Sequence, residues 1–187
     1  MTTSKSCGRK KTEKCHQHNS YGGLRWASPE IAKLVPKTDV YVEPFAGHAY
    51  TYQNVRKDGH IKRAVLGDKN CEAIRWQKEK FKKHENLISK CQDWKKTVDQ
   101  EDSKKTTFFF DPPWDKCFSK YKGNCDLAAP AILKKSKTIK GNVVIALRDT
   151  SESRKMLCKA PFRCKSIRSQ IGGFNAFYDT LVGVKKK

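Results

Sequence analysis

The sequence predicts a three-layer α/β fold: a mostly parallel seven-stranded sheet, flanked by helices, that ends in an antiparallel hairpin. Three observations carry this. Short apolar runs alternate with helix-like patterns along the chain, the order that builds parallel sheets with helical crossovers. The run "TTFFFDPPW" puts three aromatics in a stretch too short for a helix, which fits a central strand buried on both faces. Near the end, "FRCKSIRSQIGGFNAFYDTLVGV" reads as two strands joined at Gly172 and Gly173.

In order, residues 1–20 read as a flexible basic arm, and residues 21–187 as a single domain. In "YGGLRWASPEIAKLVP", Ser28 and Pro29 fit the N-cap and first position of a short helix carrying Ile31 and Leu34 and stopping near Pro36. "TDVYVEPFAGHAY" is a strand, Val40 to Val42, running through Glu43 and Pro44 into a glycine turn and a second helix. "KRAVLGDKN" is a further strand ending at Asp68. From Asn70 to about Lys90 the pattern is helical, with Ile74, Phe81 and Ile88 seven apart. "WKKTVDQ" reads as a weak third strand, "TTFFF" as a strong fourth and "GNVVIALRDT" as a fifth. Between the last two, "LAAPAILKKSK" is a helix broken or started by Pro130, and "SESRKMLCK" makes a short helix after the fifth strand.

Composition bounds the partners. With 187 residues, 37% of them hydrophobic, the chain can bury a real core without staples. Forty Lys and Arg against nineteen Asp and Glu give a formal net charge of +21, which points to a polyanion, nucleic acid first. The first twenty residues carry no apolar signal-peptide run, and no segment approaches a membrane span, so the expectation is a soluble intracellular protein, cytoplasmic or nuclear. The eight cysteines form no CxxC pair and read as mostly reduced thiols. Cys7, Cys15, His16 and His18 are zinc-ligand types, but their spacing matches no common zinc module, so no metal is expected.

The chemistry gathers at strand ends. Glu43 ends one strand, and Gly47 lets backbone approach a ligand beside a helix N-terminus. Asp68 follows 68 − 47 = 21 residues later, the offset at which a nucleotide site places an acid on ribose hydroxyls. A phosphate-binding GxGxxG and a GxxxxGK[ST] are both missing, which points to a nucleoside ligand without a pyrophosphate. Pro112 and Pro113 stiffen the turn after the aromatic strand, where Asp111 and Trp114 sit.

"VEPFAG" followed by "FFFDPPW" resembles the motif pair of S-adenosylmethionine-dependent amino-methyltransferases, Rossmann-like class I enzymes acting on exocyclic amines. The "YGGLRWASPEIAKLVP" opening is similar to the Dam-like (D12 class) DNA adenine methyltransferases. The resemblance implies that Asp111, Pro112, Pro113 and Trp114 form the catalytic tip: the acid and the first proline carbonyl accept the amine hydrogens, and the aromatic stacks on an extruded base. It implies that Glu43, Pro44, Phe45, Ala46 and Gly47 line the S-adenosylmethionine site with Asp68 on the ribose. Asp99 would meet the adenine amine, with Asp102 almost as well placed, and Tyr21, Gly22, Gly23 and Arg25 would lie near the cofactor carboxylate.

The resemblance also has departures. The turn reads FAGHAY, with His48 and Ala49 where small glycines are common, and His48 reads as a helix N-terminal residue rather than a catalyst. "VDQEDSKKTT" leaves no room for a target-recognition insertion. The substrate strand would then meet the loop carrying Lys116, Phe118, Lys120, Tyr121 and Lys122, which also fits an ordinary solvated loop, or a partner subunit or homodimer would read the target. The implied activity is methyl transfer to the N6 amine of adenine in DNA. RNA N6-adenosine, N4-cytosine and a degenerate nucleic-acid-binding subunit remain as alternatives.

Overall fold

The computed structural model describes residues 24–113, 128–159, 161–170 and 177–186. Helix α1 (Leu24–Leu34) leads to β1 (Val40–Glu43), α2 (Tyr50–Val55) with a 3-10 turn at Arg56–Asp58, then β2 (Arg63–Asp68) and α3 (Cys71–Lys80). Next come β3 (Leu87–Cys91), α4 (Trp94–Glu101), β4 (Thr106–Phe110), α5 (Ala128–Ser136), β5 (Asn142–Arg148), α6 (Ser151–Leu157), β6 (Arg163–Gln170) and β7 (Phe177–Lys185). The seven strands form one sheet in the order β3-β2-β1-β4-β5-β7-β6, with β7 the antiparallel member between β5 and β6.

The aromatic run sits where its composition requires. Phe108, Phe109 and Phe110 are fully buried in β4, between β1 and β5. Side chains alternate across a strand. Phe109 therefore joins the core on the α1–α2 side with Ile31, Tyr41 and Tyr52, while Phe108 and Phe110 join the other core with Trp94, Ile132 and Leu157. Each ring removed from water contributes roughly 1.5–3 kcal/mol, and together they anchor the strand whose end carries Asp111.

Three elements differ from the sequence expectation. Helix α1 begins at Leu24 and runs through Pro29 instead of starting there. Proline cannot donate to the Arg25 carbonyl; the Ser28 hydroxyl donates to that oxygen instead, at 2.9 Å, and also accepts from the Asn54 amide at 2.9 Å. The helix expected from Asn70 to Lys90 stops at Lys80. The His84 N–H donates to the Phe81 carbonyl at 2.8 Å and the Leu87 N–H to the His84 carbonyl at 3.2 Å, turning the chain so that Leu87–Cys91 pairs with β2. As an edge strand, β3 is only partly buried, so it lacks the strong apolar pattern of a central strand.

"WKKTVDQ" is correspondingly α4 rather than the third strand. The Asp93 side chain caps it, accepting from the Lys95 N–H at 2.9 Å, and Trp94, Thr97, Val98 and Glu101 are buried at helical spacing. The cysteine expectation is also corrected. Cys71 is bonded to Cys91, with Cα atoms 5.1 Å apart, and Cys158 to Cys164. Parallel pairing of β2 with β3 brings the first pair together, and no local spacing announces it. The Cys7, Cys15, His16, His18 cluster lies outside the described residues. Among those described, no helix is long and apolar enough to cross a membrane.

Candidate active site

Parallel pairing of β1 with β2 on one side and β4 on the other sets Glu43, Asp68 and Asp111 at three neighbouring carboxyl ends. The turn between β1 and α2 is folded tightly. Gly47 has φ 46° and Ala49 φ 52°, both left-handed. Glycine takes that conformation without penalty, whereas Ala49 holds it at a cost where the related motif favours glycine.

Asp68 holds this turn in place. Its Oδ2 accepts from the Gly47 N–H at 2.9 Å and its Oδ1 from the Asn70 N–H at 2.8 Å, so it ties the first strand–helix turn to the second. From the other side, the Gln77 amide donates to the Gly47 carbonyl at 2.8 Å, and the Ala46 N–H donates to the Gly67 carbonyl at 2.9 Å. Burial raises the Asp68 carboxyl above the usual range, against the lowering effect of the Asn70, Gly47 and Lys69 N–H groups.

Glu43 lies deeper than a ligand-lining residue. It is 3% exposed, and its Oε2 accepts from the Tyr41 hydroxyl at 2.9 Å and the Tyr52 N–H at 3.2 Å. Burial pushes this carboxyl well above its ordinary value, the charges of Asp111 and Asp68 push it further, and the two hydrogen bonds oppose them. Glu43 thus joins the end of β1 to α2 beneath the site. Pro44 and Ala46 are buried beside it, and Phe45 packs its ring against Trp94 and Phe110, centroids 6.1 and 6.5 Å away.

Asp111 and Pro113 are half-buried and Pro112 is buried, immediately after β4. Trp114 lies outside the described residues, as do Tyr21, Gly22, Gly23, Lys116, Phe118, Lys120, Tyr121 and Lys122. Arg25 is exposed, with its guanidinium 5.0 Å from the Trp26 ring centroid. His48 sets its ring edge-on to Trp76, centroids 4.6 Å apart, and its Nδ1 is buried with no hydrogen-bond partner among the described residues.

The acid expected beside an adenine amine is placed differently. Asp99 is exposed in the middle of α4 and pairs with Lys135 at 2.7 Å, while Asp102 accepts from the Lys140 N–H at 2.9 Å at the opposite end of the sheet. Asp93 stands at the carboxyl end of β3 instead. It pairs with Lys69, the neighbour of Asp68, at 2.9 Å. An acid directly before a helical pattern, "QDWKKTV", is the local signal for that N-cap.

Residues 21–110 match the sequence model of the D12 class N6 adenine-specific DNA methyltransferase family. Over that stretch the chain is similar to the Dam-like methyltransferases of the D12 class. The match stops at Phe110, one residue before the Asp111 turn. No curated protein matches this chain in sequence. Solved structures share its fold. A methyltransferase from Pyrococcus furiosus superposes with a TM-score of 0.62 at 13% identity, covering 91% of this chain and 87% of that one. The 23S rRNA methyltransferase ErmE gives 0.62 at 9% identity, over 86% and 67%. TrmK of M. capricolum, in complex with S-adenosyl-homocysteine, gives 0.57 at 17% identity, over 87% and 69%.

The D12-class match implies S-adenosylmethionine as the cofactor, which would supply an electrophilic methyl group on sulfonium sulfur when bound. The donor set fits it. A carboxylate has about four acceptor positions, so Asp68 can hold Gly47 and Asn70 and still accept two ribose hydroxyls. Gly47 beside it takes its left-handed φ of 46° without the penalty that a Cβ would bring.

Proposed function

We propose that this chain methylates the exocyclic N6 amine of adenine in DNA. The observation that carries the reading is the adjacency of the Asp111-Pro112-Pro113 turn to the Gly47–Asp68 cradle, on the paired strands β4, β1 and β2. An exocyclic amine is a poor nucleophile because its lone pair is delocalised into the ring. Two acceptors fixed on a stiff turn draw density back to nitrogen: the Asp111 carboxylate and the Pro112 carbonyl each take one amine hydrogen. Trp114, the next residue after the turn, supplies the face on which an extruded base stacks. Reaction then depends on positioning, and no cysteine nucleophile is needed.

DNA is favoured by the D12 family match and by motif order, with the glycine turn before the proline turn. The substrate strand meets the loop with Lys116, Phe118, Lys120, Tyr121 and Lys122, in a chain carrying a net charge of +21. Only residues 102–105 join α4 to β4, so no recognition domain is inserted there. Target choice must come from that loop, the basic arm or a partner.

The test is incubation with methyl-labelled cofactor and a panel of single-stranded and duplex DNA and RNA, followed by nucleoside analysis. N6-methyladenine in DNA is the expected product. Label confined to RNA or appearing as N4-methylcytosine would reassign the substrate. Absence of label with retained nucleic-acid binding would leave a catalytically degenerate subunit.

A further inference from the structure

A basic cavity of about 300 Å3 opens at the other end of the sheet from the glycine turn. Its wall includes Tyr52 of α2, Arg56 of the following turn, Arg63 of β2, and Lys83, His84 and Asn86 from the α3–β3 connection. Ala64 and Leu87, the first pair of the β2–β3 ladder, close it from below, whereas Asp68 and Cys91 end that ladder on the cofactor side. Four residue steps along β2 separate the two ends, about 13 Å at 3.3 Å per residue.

The hydrogen-bond roles make this wall a set of donors. A guanidinium only donates, so the Arg56 Nη1 contact fixes His84 Nε2 as the acceptor. His84 Nδ1 then carries the ring hydrogen and donates to the Tyr52 hydroxyl oxygen at 3.2 Å. The Tyr52 O–H is left with its own hydrogen to give, and no described residue accepts it. The ring is locked in this role by stacking on Phe81, centroids 5.1 Å apart, and Phe81 also meets Tyr52 edge-on at 5.5 Å. Neither Arg56 nor Lys83 has a carboxylate partner among the described residues. Arg63 is already held by both oxygens of Glu101, at 2.6 and 3.0 Å, and Glu85 is the one carboxylate in the wall.

We propose that this cavity binds a phosphate group, with Arg56, Lys83 and the Tyr52 hydroxyl as its donors. Phosphate offers several acceptor oxygens to a guanidinium fork, an ammonium and a hydroxyl at once, and it replaces water at donors that have no protein acceptor. The group belongs either to a free phosphorylated small molecule or to the backbone of a nucleic acid. The site stands independently of the methyl-transfer reading, because it shares no residue with the Gly47–Asp68–Asp111 cradle.

The full chain is titrated with inorganic phosphate while the imidazole NMR signal of His84, assigned by its loss in His84→Gln, is followed. The expected result is a saturable shift that equimolar chloride does not produce, with affinity weakened at least tenfold in Arg56→Ala and in Lys83→Ala. Both side chains are exposed, so both variants are expected to fold, with an unchanged circular dichroism spectrum as the control. An oligonucleotide that moves the same signal identifies backbone phosphate as the ligand, and one that leaves it unmoved identifies free phosphate. An unmoved signal with inorganic phosphate, an equal response to chloride, or unchanged affinity in both variants overturns the proposal.

Discussion

Replacing Glu43 with Gln separates charge from shape at the deepest carboxyl of the site. Both hydrogen bonds, from the Tyr41 hydroxyl and the Tyr52 N–H, go to one oxygen, Oε2, so the glutamine carbonyl can accept both. Only the ability to ionise is lost. Because burial raises the folded-state value well above that of the unfolded chain, folded Glu43 binds a proton that the unfolded chain has released. Wild-type stability from this group is therefore fully present below the unfolded value, about 4.3, and falls as pH rises through the window up to the folded value. Within that window the loss is about 1.4 kcal/mol per pH unit. Each pH unit inside the window thus corresponds to about 3–6 °C in Tm, at 2–4 °C per kcal/mol for a chain of this size. The assay is thermal unfolding of both proteins from pH 4 to 8. Glu43→Gln should match wild type at the acid end and gain on it with each pH step until the difference levels. A difference that stays constant across the range would refute the burial argument, since it would mean that Glu43 binds protons equally in both states.

Three further outcomes follow from the same geometry. Asp111→Ala should abolish methyl transfer while leaving S-adenosylmethionine affinity, read by calorimetry, within a few fold; retained turnover removes Asp111 from the chemistry. Asp68→Ala should weaken cofactor binding at least a hundredfold, because it removes the ribose acceptor and two charge-assisted bonds that hold the turn, each worth about 1.5–3 kcal/mol; near-normal binding would place the cofactor elsewhere. Reducing the Cys71–Cys91 bond, with a sequence separation of 20 residues, should cost about 3 kcal/mol of stability by loop-closure entropy. Cys71→Ser should lower Tm by a similar amount and remove most of the sensitivity to reductant, and an insensitive wild type would count against the bond.

Much of this was legible in the chain. The FFF run needed no partner to declare itself a central strand, since three adjacent aromatics can be hidden only if both faces are covered. Glu43, Gly47, Asp68 and Asp111 were legible because strand ends are marked by local chemistry: an acid, a glycine or a proline after an apolar run. The third strand was not legible. Leu87–Cys91 becomes a strand by pairing with β2 at the sheet edge, where burial is partial and the residue pattern weak. The same displacement puts Asp93, and not Asp99, just beyond the end of the third strand.

The sequence by itself determined six of the seven strands, the net charge of +21 and the acids at the ends of β1, β2 and β4, because each depends on neighbours within a few residues. Tertiary structure decided what those residues touch. It turned Glu43 from a ligand-lining acid into a buried clamp on Tyr41 and Tyr52, gave Asp68 the task of holding the Gly47 turn, joined Cys71 to Cys91, and closed a donor-lined cavity from residues 52 to 87. Those contacts arise between segments far apart in the chain, and no local pattern encodes which backbone N–H or thiol will arrive opposite a given side chain.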